Sequence, residues 1–77
     1  MEEVVDRTLL CSAIGANVLR LRKEKKLSQG ALAEKIGISR GQINRIENGH
    51  DEPQSGVLYT LADILGVSAD ALRQIPS

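Results

Sequence analysis

The sequence predicts an all-α domain of five short helices, and three observations carry the prediction. Apolar residues recur at steps of three and four along most of the chain, while the alternation that marks strands never persists beyond a few residues. Serines stand directly before the periodic runs and glycines directly past them, the residues that cap helix starts and ends. Both prolines, Pro53 and Pro76, fall outside the runs.

The first helix is expected over Thr8 to Lys26, where Leu10, Ile14, Val18, Leu21 and Lys25 share one face. Gly15 weakens it by about 1 kcal/mol against alanine if exposed. Ahead of it, residues 1–7 are read as a flexible or helical extension, acidic through Glu2, Glu3 and Asp6. Ser28 then caps a second helix, Gln29 to Ile36, and Ser39 a third, Arg40 to Asn48, with Gln42 at the capping-box spacing. Pro53 leads into a fourth, Gln54 to Leu65, whose Val57, Leu58, Leu61, Ile64 and Leu65 line one face. Ser68 caps a fifth, Ala69 to Gln74. Gly37, Gly49 and Gly66 each lie just past a run, where a left-handed residue ends a helix at little cost.

Composition narrows the function classes. A chain of 77 residues, 42% hydrophobic and 26% charged, reads as one globular domain rather than a disordered segment. At this size folding buries only about 60% of the unfolded chain's surface, so a partner subunit would help. Tyr59 is the one aromatic residue, which excludes stacking platforms for single-stranded nucleic acid. A lone cysteine, Cys11, cannot make an intrachain disulfide and is read as a small apolar packer. An acidic N-terminus without a signal pattern points to the cytoplasm, and no apolar run approaches the length of a membrane span.

Function concentrates between Gln29 and Asn48, two short helices joined by Gly37, Ile38 and Ser39, the layout of a helix-turn-helix. Leu32, Ile36, Ile38, Ile43 and Ile46 fill its inward positions, and Ala33 is small where the second helix must cross closely. On that second helix, Arg40, Gly41, Asn44, Arg45 and Asn48 fall within an arc of about 140°, opposite Ile43 and Ile46. Arginines donate two hydrogen bonds to guanine O6 and N7, Asn44 can bond adenine or phosphate, and Gly41 allows close approach to a groove floor. A solvated helix face carries similar groups, so the stripe alone leaves both readings open.

The run LSQGALAEKIGISRGQINRIENGHDEP, followed by LADILGVSADAL, resembles the Cro/C1-type (XRE) helix-turn-helix family of phage repressors and restriction-modification controllers. The resemblance covers about residues 14–72. It implies a λ-repressor-like fold in which the helix from Arg40 enters the major groove, with Arg40, Gly41, Asn44 and Arg45 facing bases. It also implies phosphate contacts from Gln29, Ser39, Asn48 and His50, and an internal ion pair between Arg22 and Glu47. Ser55 and Gly56 depart from the family's apolar, helix-favouring residues, which is expected to start the fourth helix a turn late or bend it. Gly41 removes a side chain that often reads a base, and His50 replaces a usual lysine, weakening a phosphate contact at neutral pH and tightening it modestly in acid.

The expected protein is a transcriptional regulator on double-stranded DNA, binding an inverted-repeat operator as a homodimer and controlled through its own concentration. Leu72, Ile75 and the helix-four face around Tyr59 are the expected dimer contacts, and Glu34 is placed where some family members touch RNA polymerase. The alternative is a protein-interaction module or antitoxin on the same fold. No cofactor, metal or small-molecule ligand is expected, nor catalysis, because the lone His50 has no serine elbow, phosphate-cradling loop or paired carboxylates around it. The zero net charge hides a polarised chain: residues 20–45 carry eight basic and two acidic side chains, an excess of six, against minus two before and minus four after. That distribution is expected to give a positive face towards phosphates and weak non-specific binding.

Overall fold

A serine hydroxyl satisfies a first-turn N–H at the start of three helices. The computed structural model describes residues 7–75. It contains α1 (Arg7–Glu24), α2 (Gln29–Ile36), α3 (Arg40–Glu47), α4 (Ser55–Leu65) and α5 (Ala69–Arg73), with no strand among the described residues. Ser28 Oγ accepts from the Ala31 amide at 3.0 Å and Ser68 Oγ from the Ala71 amide at 3.1 Å. At Ser39 the capping box is complete: its Oγ accepts from the Gln42 amide at 3.1 Å, and Gln42 Oε1 accepts from the Ser39 amide at 2.9 Å.

The start of α1, the end of α3, the start of α4 and the end of α5 each fall one residue from expectation, and two differences have a clear physical cause. Helix α1 stops at Glu24 rather than Lys26 because Lys26 takes the left-handed conformation (φ 59°), and the Leu27 amide bonds back to the Arg22 carbonyl at 3.1 Å. A lysine there carries a backbone cost that glycine would avoid. Helix α4 begins at Ser55 without the expected delay, although its N-cap, Gln54, provides no side-chain bond. Its start is fixed instead by packing: Pro53 is buried just ahead, and Leu58, Leu61, Ala62 and Leu65 enter the core.

The core joins all five helices through Ile14, Val18, Leu32, Ile43, Leu61 and Leu72, each essentially inaccessible. Leu72 therefore completes the monomer core and is not available as the expected dimer contact. Lys25, counted on the inward face of the first helix, is exposed, lying beyond that helix's end. Cys11 is half-buried and unpaired by disulfide. The proposed extension up to Asp6 lies outside the described residues.

A buried amide holds α5 to α1. Asn17 Nδ2 donates to the Leu72 carbonyl at 2.8 Å and the Gln74 carbonyl at 2.7 Å. These are end-of-helix carbonyls that a helix this short cannot satisfy by itself.

Candidate nucleic-acid interface

Helix α3 is seated before it is exposed. Ile43 and Ile46 bury one side of it, and Gly37 (φ 89°) turns the chain from α2 into it. Against its C-terminal end lies Gly15 of α1, where an added Cβ would fall 2.7 Å from the Glu47 carbonyl oxygen. Only a glycine lets the two helices approach this closely. Gly15 was expected to be a mild weakness; the structure makes it a packing requirement.

The predicted ion pair forms and is larger than expected. Arg22 Nε donates to Glu47 Oε2 at 2.5 Å and Arg22 Nη2 to Glu47 Oε1 at 3.1 Å. Arg22 Nη1 reaches the Leu27 carbonyl at 2.8 Å, bracing the turn between α1 and α2. Gln29 Nε2 donates to Glu47 Oε1 at 2.9 Å, tying the start of α2 into the same network. The hydrogen bonds to Glu47 hold the Arg22 guanidinium above its ordinary pKa, outweighing the opposing effect of burial. Three helices thus meet at one carboxylate: α1 through Arg22, α2 through Gln29 and α3 through Glu47 itself.

Above this network the predicted base-facing residues share one exposed face. Arg40, Gly41, Asn44, Arg45 and Asn48 are all exposed. Ser28, Gln29, Gly30 and Arg40 line a shallow open cleft with Arg22 at its base, so Gln29 and Arg40 are brought together although eleven positions apart in the chain. Gln29 is half-buried, one amide hydrogen committed to Glu47. Ser39 spends its acceptor on the cap, and its hydroxyl hydrogen remains able to donate. Asn48 Nδ2 donates to Asn44 Oδ1 at 3.2 Å, linking two of the predicted contacts. The His50 side chain is exposed just beyond them. Glu34 is exposed on α2.

Sequence reasoning missed one contact on this face. Arg45 is paired to Asp51, with Nε to Oδ2 at 2.7 Å and Nη2 to Oδ1 at 3.1 Å. That bond holds the Asp51 carboxyl below the usual carboxylate range. The positive excess of residues 20–45 is correspondingly reduced: Glu47 and Asp51, from the acidic remainder, fold back onto Arg22 and Arg45. Among the described residues no group of metal-binding side chains forms and no helix is long and apolar enough to cross a membrane.

A capped helix seated through a glycine turn, with its polar face outward, has known counterparts. The Helix-turn-helix family pattern matches residues 18–72. The chain belongs to the helix-turn-helix family. It is 41% identical over 56 residues to the HTH-type transcriptional regulator YqaE of Bacillus subtilis, spanning 48% of that protein. It is 40% identical over 55 residues to the regulator y4dJ of Sinorhizobium fredii, spanning 71% of it. The P22 c2 repressor, solved in complex with a synthetic operator, superposes with a TM-score of 0.78 at 30% identity, over 82% of this chain and 96% of that one. The helix-turn-helix fold also superposes on part of hydroxypropylphosphonic acid epoxidase from S. wedmorenis (TM-score 0.80, 25% identity, 87% of this chain and 36% of that one). The fold alone therefore does not fix the function; the residues on its exposed face do.

Proposed function

We propose that the protein is a sequence-specific regulator of transcription that binds double-stranded DNA by laying α3 in the major groove. The observation that carries this reading is the exposed face of Arg40, Gly41, Asn44, Arg45 and Asn48 on a helix fixed from behind by Gly15 and the Arg22–Glu47–Gln29 network. Bidentate arginines suit guanine and the asparagine amides suit adenine or phosphate. Gln29, at the cleft beside Arg40, is suited to a phosphate, and the Ser39 hydroxyl and the exposed Asn48 and His50 are further groups able to donate to the backbone. The P22 c2 repressor, which shares this scaffold, was solved on an operator, and that supports the same use here.

The active form in this reading is a homodimer on an inverted repeat, with half-site centres about 10 bp apart. Leu9, Tyr59 and Ile75 are large apolar side chains left at least half exposed, and they are the surface for a second copy. Leu72, being buried, is not part of it. Selection from a random duplex pool with purified protein, followed by sedimentation of the enriched complex, tests both parts. An enriched inverted repeat carrying two chains is expected. Failure to enrich any sequence would overturn the DNA-reading proposal, and one chain per site would overturn the dimer.

A further inference from the structure

An arginine on an exposed helix face normally samples many rotamers, and fixing it against a base costs that freedom. Arg45 is held instead. Asp51 takes Nε and Nη2 of its guanidinium in a fork, the geometry that adds direction as well as attraction. This mode engages the side of the guanidinium. It leaves Nη1 and the outer Nη2 hydrogen, the end-on pair that matches guanine O6 and N7.

Asp51 is itself mounted on a fixed loop. The Gly49 amide bonds the Ile46 carbonyl at 3.1 Å and the His50 amide bonds the Arg45 carbonyl at 2.9 Å. On the other side Glu52 pairs with Arg7 at 2.8 Å and Pro53 is buried. The carboxylate therefore sits at a set place relative to α3. Its charge has a second consequence, because a negative group beside a phosphate-facing surface removes one unit of the attraction that every duplex shares.

Building on the DNA-reading role proposed above, we propose that Asp51 is a positioning residue that presents Arg45 end-on to one base pair, raising discrimination while lowering affinity for duplex of any sequence. Asp51→Ala and Asp51→Asn separate the two effects. Both remove the same charge, so both should bind random duplex severalfold more tightly and to the same extent. Preference at the base pair read by Arg45 should fall about tenfold in Asp51→Ala and less in Asp51→Asn, which keeps one acceptor oxygen. In an Arg45→Ala background, Asp51→Ala should still tighten random-duplex binding and leave base preference unchanged. Circular dichroism should show all variants folded, since both side chains are half exposed.

If the wild-type protein selects a motif and Asp51→Ala selects the same motif with equal discrimination, Asp51 is only a counter-charge and this inference fails alone. If the wild-type protein selects no motif, the DNA-reading role fails and takes this inference with it.

Discussion

Two arginine–carboxylate forks stand at opposite sides of α3, built from the same chemistry and set to different tasks by burial. In Arg22–Glu47 the side chains are 10% and 3% exposed, and the carboxylate also receives Gln29. In Arg45–Asp51 they are 57% and 45% exposed, and water reaches both partners. Charges taken out of water must be paired or the fold loses heavily, whereas an exposed pair contributes little to stability. The first fork can therefore only be architecture. The second contributes little to the fold and keeps its guanidinium in solvent, directed by Asp51 with its end-on hydrogens open to a ligand.

Breaking the buried fork should have the largest effect. Glu47→Ala leaves Arg22 and Gln29 without their acceptor, and a loss of about 3–5 kcal/mol is expected. A chain of this size has only about 4–12 kcal/mol in total, so urea unfolding should show the variant near the edge of folding. Replacing both partners, Arg22→Met with Glu47→Leu, should cost less than Glu47→Ala alone. The opposite order would mean that the pair is not desolvated.

Gly15→Ala should follow. A Cβ against the backbone of Ile46 and Glu47 pushes α3 away from α1, at the upper end of the roughly 1–3 kcal/mol typical of overpacking. Thermal melting reads this directly, and an unchanged melting temperature would show that the helices separate without penalty.

On the exposed side the losses should appear in binding and not in folding. Arg40→Ala or Arg45→Ala should weaken the selected operator by about ten- to a hundredfold while leaving random duplex much less affected. Gln29→Ala should weaken every sequence alike, and it should also lower stability slightly through its bond to Glu47. Gly41→Ala separates the two sides most cleanly. An added Cβ would meet nothing closer than Ser39 Oγ at 3.8 Å, so the fold accepts it and gains about 0.4–1 kcal/mol. Any loss of operator affinity in that variant then reports how closely α3 approaches the groove floor.

The smallest expected effect is a titration. Arg45 holds the Asp51 carboxyl below its ordinary range, so the pair's contribution is fully present above that range and is lost as pH falls through the lowered value. In Arg45→Ala the carboxyl should titrate at higher pH, back towards the ordinary range, which a carboxyl NMR titration would detect.

Much of this was legible in the sequence because it is local. The serine caps at Ser28, Ser39 and Ser68, the glycine turn at Gly37 and the apolar spacing each act within a few residues, and each was found where its chemistry placed it. The exposed face of α3 was legible for the same reason, since its arc follows from helical period alone. What escaped depends on where distant segments meet. Nothing near Gly15 in sequence shows that α3 presses on it, and Asn17 gives no sign that it will clamp α5. Two misses lie close in sequence: the Arg45–Asp51 fork arises from the path of a short loop, and Lys26 adopts a left-handed turn that its residue type does not advertise.

In the role proposed above, the exposed face of α3 reads sequence while the buried fork beneath only holds it in place. Random-pool DNA selection run side by side on the wild-type protein and on Arg40→Ala and Arg45→Ala tests it most directly. A wild-type inverted repeat with half-site centres about 10 bp apart is expected, relaxed at one base pair per half-site in each variant. An identical motif from all three proteins would contradict it.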